Sequence, residues 1–274
     1  MSTARNPVLA LPLPGLAGLG ITVLWLLMAV AGPALAPYDA STIVDPDVFG
    51  AYSWQFPLGT DYLGRDMLSR ILCGARFTVA LALAATVLAS FTGTLLGLVA
   101  ATAGGWIDAA LSRSLDALIS IPSKMFALMM VASFGSSVPL LILTAALGFM
   151  PGSFRIARAL AVNVQAMDFV QAARSRGEGM AYITCVEILP NMIGPVLADF
   201  GLRFVFIVLL LSGLSFLSLG VQPPDADWGS LVRENIAGLS EGAPAVLMPA
   251  LAIATLTIGV NLLIDNVRGE HRKA

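Results

Sequence analysis

Five stretches of this chain carry no Asp, Glu, Lys or Arg: residues 6–38, 77–107, 125–154, 204–224 and 242–264. The shortest has 21 residues, and a helix crossing the hydrocarbon core of a bilayer needs about 20. A soluble fold has no use for so many uncharged runs of this length. Composition agrees: 57% of residues are hydrophobic and 12% charged, with a mean hydropathy of +0.86, where a soluble domain is about one-quarter charged. The fold class is therefore an all-α integral membrane protein.

Local breakers divide the runs into six transmembrane helices. Pro7, Pro12 and Pro14 delay the first to about 16–36. The second covers 77–103 and ends at Gly104-Gly105. Gly135-Ser136-Ser137-Val138-Pro139 is turn chemistry, so one helix arrives over 108–134 and the next leaves over 139–160. The last two cover 195–218 and 245–266. Lys and Arg in short loops set orientation. With the N-terminus inside, nine basic residues (Arg5, Arg113, Arg155, Arg158, Arg174, Arg176, Arg268, Arg272 and Lys273) lie on the inner side. Four (Arg65, Arg70, Arg76 and Arg233) lie outside. The expectation is N-in, C-in. Arg5 and Ala34-Leu35-Ala36 imitate a cleaved signal peptide, but the apolar core is too long for one and Pro37 follows the cut.

Scarce residues exclude several chemistries. The one histidine is His271, and the two lysines, Lys124 and Lys273, follow no G-x-x-x-x-G pattern. The chain thus has no P-loop and no H-E-x-x-H zinc site. Cys73 and Cys185 fit no metal spacing and fall on opposite sides of the membrane, so they form no disulfide. No cofactor, metal or catalytic residue is expected on this chain.

The non-spanning segments divide the chain into a tail and first span (1–36), an outer segment (37–76), a core (77–268) with an inner loop at 161–194, and a tail (269–274). In the outer segment, Leu63, Met67, Leu68, Ile71 and Leu72 recur at helical spacing, which predicts an interfacial amphipathic helix over 59–70. The inner loop has a helix over 168–176, a reversal at Gly177 and Gly179, and a second helix over 180–189 stopped by Pro190. Met180, Ile183 and Val186 form the apolar face of that second helix.

Four segments carry a resemblance. Gln171-Ala172-Ala173, three residues, Gly177, then Ile188-Leu189-Pro190 resembles the E-A-A loop of ABC-transporter permeases, with Gln171 in place of the family's Glu. Gly59 to Arg70 (GTDYLGRDMLSR) is similar to L-G-T-D-x-L-G-R-D-x-x-S-R of the peptide and nickel branch. Leu214 to Pro224 with Trp228-Gly229 resembles its outer loop, with Ser218 where Gly is common, and Asn261 to Arg268 its final helix. These run in order along the chain. The sequence is identified as a member of the C-type permeases of dipeptide, oligopeptide and nickel ABC importers.

That resemblance implies a MetI-like type I importer permease in a bacterial inner membrane. It implies a related B-type permease as second half, two cytosolic ATPase subunits holding ATP and Mg, and an external solute-binding protein. Gln171, Ala172, Ala173, Gly177, Ile188, Leu189 and Pro190 would couple to the ATPase, and the solute would be a peptide or peptide-like compound. The Gly59–Arg70 segment would brace the outer face rather than touch solute.

Three ionisable groups fall within predicted spans: Lys124, Asp199 and Arg203. Such groups usually face a bundle interior or a cavity. Asp199 and Arg203 have the i, i+4 spacing of an ion pair. Lys124 either lines a path for an anionic solute or snorkels to headgroups. Arg113 and Asp116 are spaced to pair on one helix, and Gly93-x-x-x-Gly97 suits a close helix contact. The rival readings are an ion-coupled secondary transporter, an intramembrane protease and a membrane scaffold. The first calls for mid-membrane carboxylates, of which only Asp199 qualifies; the second needs a catalytic pair or metal; the third needs no docking loop.

Overall fold

The computed structural model describes residues 12–271, with side chains to residue 266. Among the described residues the chain is helical, with two isolated antiparallel bridges, Ile43–Arg65 and Thr60–Asp66. The elements are α1 (Leu13–Leu35), α2 (Met67–Ala103), α3 (Gly105–Ile119), α4 (Ser123–Phe134), α5 (Val138–Gln165), α6 (Asp168–Ser175), α7 (Met180–Tyr182), a π-helical stretch (Ile183–Ile188), α8 (Leu189–Phe216), α9 (Trp228–Glu234) and α10 (Pro244–His271). Five continuous helices are long and apolar enough to cross a membrane.

The sixth span is broken. The sequence predicts one helix over 108–134, but α3 and α4 meet at an angle of 80°. Pro122 is the physical cause. It has no N–H to donate, and it drives the preceding Ile121 away from helical backbone angles. The first span starts earlier than expected, at Leu13, because Pro14 falls in the opening turn of α1, where no N–H is needed.

Pro190 does not stop a helix as the sequence suggests. The chain continues helically from Met180 to Phe216, 37 residues. A π-helical stretch precedes the proline, and the Leu189 amide donates to the Thr184 carbonyl five residues back. That widened turn places Pro190 in the first turn of α8. The Asn191 side-chain amide donates to the Glu187 carbonyl at 2.6 Å, which helps satisfy the disrupted ladder.

α2, α5 and α8 form the middle of the bundle, with α1 and α10 packed on one side and α3 and α4 on the other. Gly93 and Gly97 let α2 approach α5 closely, as their spacing predicts. A Cβ on Gly93 would lie 2.7 Å from the Met150 carbonyl oxygen, and one on Gly97 2.8 Å from the Arg158 amide. Backbones this close gain dispersion contacts along both helices, the main attraction between helices in lipid.

Candidate functional site

The loop over 161–194 is a folded unit with its own small core. Val170, Ala173, Ile183 and Ile188 are buried against Leu98 and Ala161. Gln171 donates from Nε2 to the Gln165 carbonyl at 3.1 Å, and Arg174 donates to Gln165 Oε1 at 3.3 Å. Both bonds tie α6 to the end of α5. A glutamate at 171 has no proton to give that carbonyl at neutral pH.

Gly177 makes the reversal, as expected. Its φ is +81°. The Gly177 amide donates to the Arg174 carbonyl at 3.0 Å and the Glu178 amide to the Ala173 carbonyl at 3.2 Å, the paired bonds of a Schellman cap. A Cβ on Gly177 would meet nothing within 4 Å, so the position demands a backbone angle, not space. Arg176 then reaches Glu187 across the turn at 3.6 Å.

The expected coupling residues divide between two roles. Gln171, Ala172, Gly177 and Pro190 are exposed, Leu189 is half-buried, and Ala173 and Ile188 are buried. The Ala pair therefore splits: Ala173 packs inside the loop while Ala172 faces out. The apolar face also divides. Ile183 turns into the loop core, while Met180, Tyr182 and Val186 stand exposed, as do Met167 and Phe169. Three-residue steps fall about 60° short of a full helical turn, so Met180, Ile183 and Val186 do not share one line. Tyr182 carries no spacing signal that singles it out.

At the opposite end of the bundle, the segment Gly59 to Arg70 is not an amphipathic helix. Residues 59–66 are a tight loop, and α2 starts only at Met67. Gly59 and Gly64 both have φ of +74°, which helix geometry forbids. Asp66 caps α2, accepting from the Ser69 amide at 2.8 Å and the Ser69 hydroxyl at 2.6 Å. The fully buried Asp61 accepts from the Leu63 and Arg65 amides, from Arg65 Nε at 2.7 Å and from Arg70 NH1 at 2.6 Å. Arg70 NH1 also meets Glu234 at 2.9 Å, and the Tyr62 amide donates to Asn235 Oδ1 at 3.0 Å. The motif is thus a clasp between the segment before α2 and the end of α9. Glu234 and Asn235 have no local sequence signal for this role.

α9 is anchored in turn. Trp228 is fully buried, donates from Nε1 to the Ile71 carbonyl at 3.0 Å, and meets Trp25 edge-on with centroids 4.6 Å apart. Asp227 caps α9 through a reciprocal pair of bonds with Ser230. Burial pushes its carboxyl above the usual range, against the Ser230 amide, which pulls it down. Ser218 adopts φ +67°, which accounts for the glycine usual there; its hydroxyl accepts from Arg233 at 2.6 Å.

The in-span charges behave differently from one another. Asp199 and Arg203 form a two-pronged pair at 2.8 and 3.0 Å. Ser153 donates to Asp199 at 3.1 Å and Arg203 donates to the Phe149 carbonyl at 3.2 Å. The pair therefore joins α8 to α5. Lys124 is exposed in the first turn after the α3–α4 break and forms no ion pair among the described residues. The Arg113–Asp116 pair expected from spacing does not form. Asp116 instead meets Arg155 at 2.6 Å, and Asp108 meets Arg158, both across to α5.

The comparisons with known proteins agree with this architecture. Residues 93–270 match the family described as "Binding-protein-dependent transport system inner membrane component". The di/tripeptide transport system permease protein DppC of Pseudomonas aeruginosa is 32% identical over 259 residues, 92% of this chain and 86% of that protein. The glutathione transport system permease protein GsiD of Pectobacterium atrosepticum is 33% identical over 253 residues, 91% and 83% of the two chains. A crystal structure of an amino acid ABC transporter with histidines matches at a TM-score of 0.50 and 18% identity, over 76% of this chain and 94% of that one. This last likeness shows a shared fold. The chain belongs to the binding-protein-dependent transport system inner membrane components, the permease subunits of ABC importers.

Proposed function

We propose that this permease carries a peptide or peptide-like solute inward, driven by ATPase subunits that dock on the loop over 161–194. The observation that carries the docking is the exposure of Met180, Tyr182 and Val186 on a loop whose own core is closed. Exposed apolar side chains on a unit with its own closed core suit a groove on a partner. In this reading the chain is N-in and C-in, and the loop lies in the cytosol.

The helix from Met180 to Phe216 supplies the transmission. It is helical without a break over 37 residues, so a pull on Val186 is carried through the π-helical turn, Pro190 and Pro195 to Asp199–Arg203. Through that pair it reaches α5. ATP binding closes the ATPases, draws the two inner loops together and turns the cavity outward to receive solute. Hydrolysis and release return it.

ATP and Mg sit on the partner subunits in this proposal, and this chain performs no catalysis. A related B-type permease forms the second half, and an external solute-binding protein delivers solute to the clasped end. The names of the di/tripeptide and glutathione relatives support a peptide-like solute. Lys124 faces away from the bundle on the α4 side and suits a solute carboxylate.

The test is uptake by the reconstituted four-part transporter with its binding protein. Uptake should require ATP and the ATPase subunits. Uptake that persists on an ion gradient without those subunits overturns the proposal in favour of secondary transport.

A further inference from the structure

Two of the chain's four tryptophans, Trp25 and Trp228, meet inside the protein. The other two, Trp54 and Trp106, are exposed and stand at opposite ends of the bundle. Trp106 lies in the first turn of α3, just past the end of α2. Trp54 lies at the clasp end, on the segment between α1 and α2, and Tyr52 beside it is exposed as well. Tryptophan and tyrosine are enriched at both membrane–water interfaces. Residues 48–60, between Asp47 and Asp61, carry no Asp, Glu, Lys or Arg. That run is too short to cross a bilayer, and it is not helical.

Local bonds hold Trp54 in a defined place. The Ser53 amide donates to the Phe56 carbonyl at 3.0 Å, and the Phe56 amide donates to Ser53 Oγ at 2.9 Å. These bonds close a turn with Trp54 at its tip. Phe56 is buried, with its ring centroid 5.8 Å from that of Tyr38. The Tyr38 amide in turn donates to Ser69 Oγ at 3.1 Å. Tyr38 is three residues past the end of α1, a reach of at most about 11 Å. The 23 residues of α1 measure about 35 Å. A hydrocarbon core is about 30 Å thick, and each headgroup layer adds about 5–8 Å. The turn therefore sits at headgroup depth. Its far side rests on the start of α10, since a Cβ on Gly59 would lie 3.0 Å from Pro244 Cγ. Val30 and Leu35 of α1 and Leu247 of α10 are exposed apolar residues on these two spanning helices. No charged residue separates Leu35 from Tyr38, so the apolar band of α1 runs up to the turn.

We infer that residues 51–57 are a membrane anchor, with Tyr52 and Trp54 inserted into the headgroup layer on the clasp side. Indole and phenol rings pair an apolar body with one polar tip, which favours that layer over both water and hydrocarbon. A soluble binding protein would have to reach the same two rings; the continuity of the turn with a spanning helix is what selects the bilayer. The anchor fixes the depth of the clasp, because Phe56 and Gly59 tie it to α1 and α10. It involves neither the loop over 161–194 nor Lys124.

Site-specific photocrosslinking tests this directly. p-Benzoylphenylalanine is placed at position 54 or, in a second variant, at position 52, so that an aromatic ring is kept. The assembled transporter is reconstituted in vesicles of phosphatidylethanolamine and phosphatidylglycerol and irradiated with and without the solute-binding protein. Adducts are identified by mass spectrometry. Phospholipid adducts at 54 and 52 should be several-fold more abundant than at the exposed Asp47 substituted in the same way, and comparable with those at Val30. They should not depend on the binding protein. Lipid labelling at 54 and 52 no greater than at Asp47 overturns the proposal. So do crosslinks from these positions to the binding protein or to another permease subunit in place of lipid, since that makes the turn a protein interface.

Discussion

Arg70 and Asp61 meet at 2.6 Å with their side chains 4% and 0% exposed, nine positions apart and on opposite sides of the start of α2. Arg70 also reaches Glu234, and Arg65 reaches both acids. Two acids and two bases are therefore enclosed with balanced charge. Their desolvation is tolerable only because each is paired and hydrogen-bonded.

Arg70→Met should accordingly be severe. It leaves Asp61 and Glu234 short of a positive partner, and breaking a buried pair costs about 3–5 kcal/mol. Thermal unfolding of the purified transporter should drop, and protease should cleave within residues 43–66. Unchanged stability and protection would show that the clasp does not hold the segment before α2 to α9.

The pair within the spans admits a sharper test. If Asp199–Arg203 is structural, Asp199→Leu or Arg203→Met alone should each cost about 3–5 kcal/mol, and the double substitution much less. A double variant that folds well but no longer transports would assign the pair to the solute path instead.

Gly177→Val should leave membrane insertion intact. A β-branched residue at φ +81° is strained by about 1–2 kcal/mol, which loosens the Schellman turn and shifts the exposed Met180. ATPase stimulation by the loaded binding protein should be lost or strongly reduced. Full stimulation in the reconstituted complex would count against the coupling role.

Asp227 makes stability depend on pH. Its pKa is raised above the ordinary value of 3.8 by burial, so the folded state holds the proton more tightly than the unfolded state. This contribution is complete below the unfolded value and lost as pH rises through the folded one. Asp227→Asn keeps a capping acceptor and removes the charge. The melting temperature of the variant minus that of the wild type should therefore grow from acid to neutral pH. A difference that stays flat across that range would show that Asp227 is not a buried acid of this kind.

Lys124→Ala should reduce uptake of an acidic solute several-fold more than that of a neutral one. An exposed ion contact is worth up to about 1 kcal/mol. Equal effects on both solutes would assign Lys124 to the headgroup region.

The loop over 161–194 was legible because each of its requirements is local. A positive φ asks for glycine at 177, and a two-helix hairpin asks for apolar residues at helical spacing. The split between Ala172 and Ala173 was not legible, since both are small and only packing against Leu98 and Ile183 decides which one turns inward. The outer motif misled for a related reason. Leu63, Met67 and Ile71 keep helical spacing, yet Gly59, Gly64 and the cap at Asp66 postpone the helix to Met67.

Sequence alone determined that this chain spans the membrane and where most spans fall, because hydrocarbon admits only helices that satisfy their own backbone and therefore long uncharged runs. It also determined the turn at Gly177 and the close approach at Gly93 and Gly97. Tertiary structure decided which charges pair. Asp116 takes Arg155 rather than nearby Arg113, and Arg65 takes Glu234 from 169 positions away. It also decided that Pro190 continues a rod while Pro122 breaks one. The two prolines lack the same N–H. The π-helical turn before Pro190 absorbs the missing bond, whereas at Pro122 the chain turns by 80°.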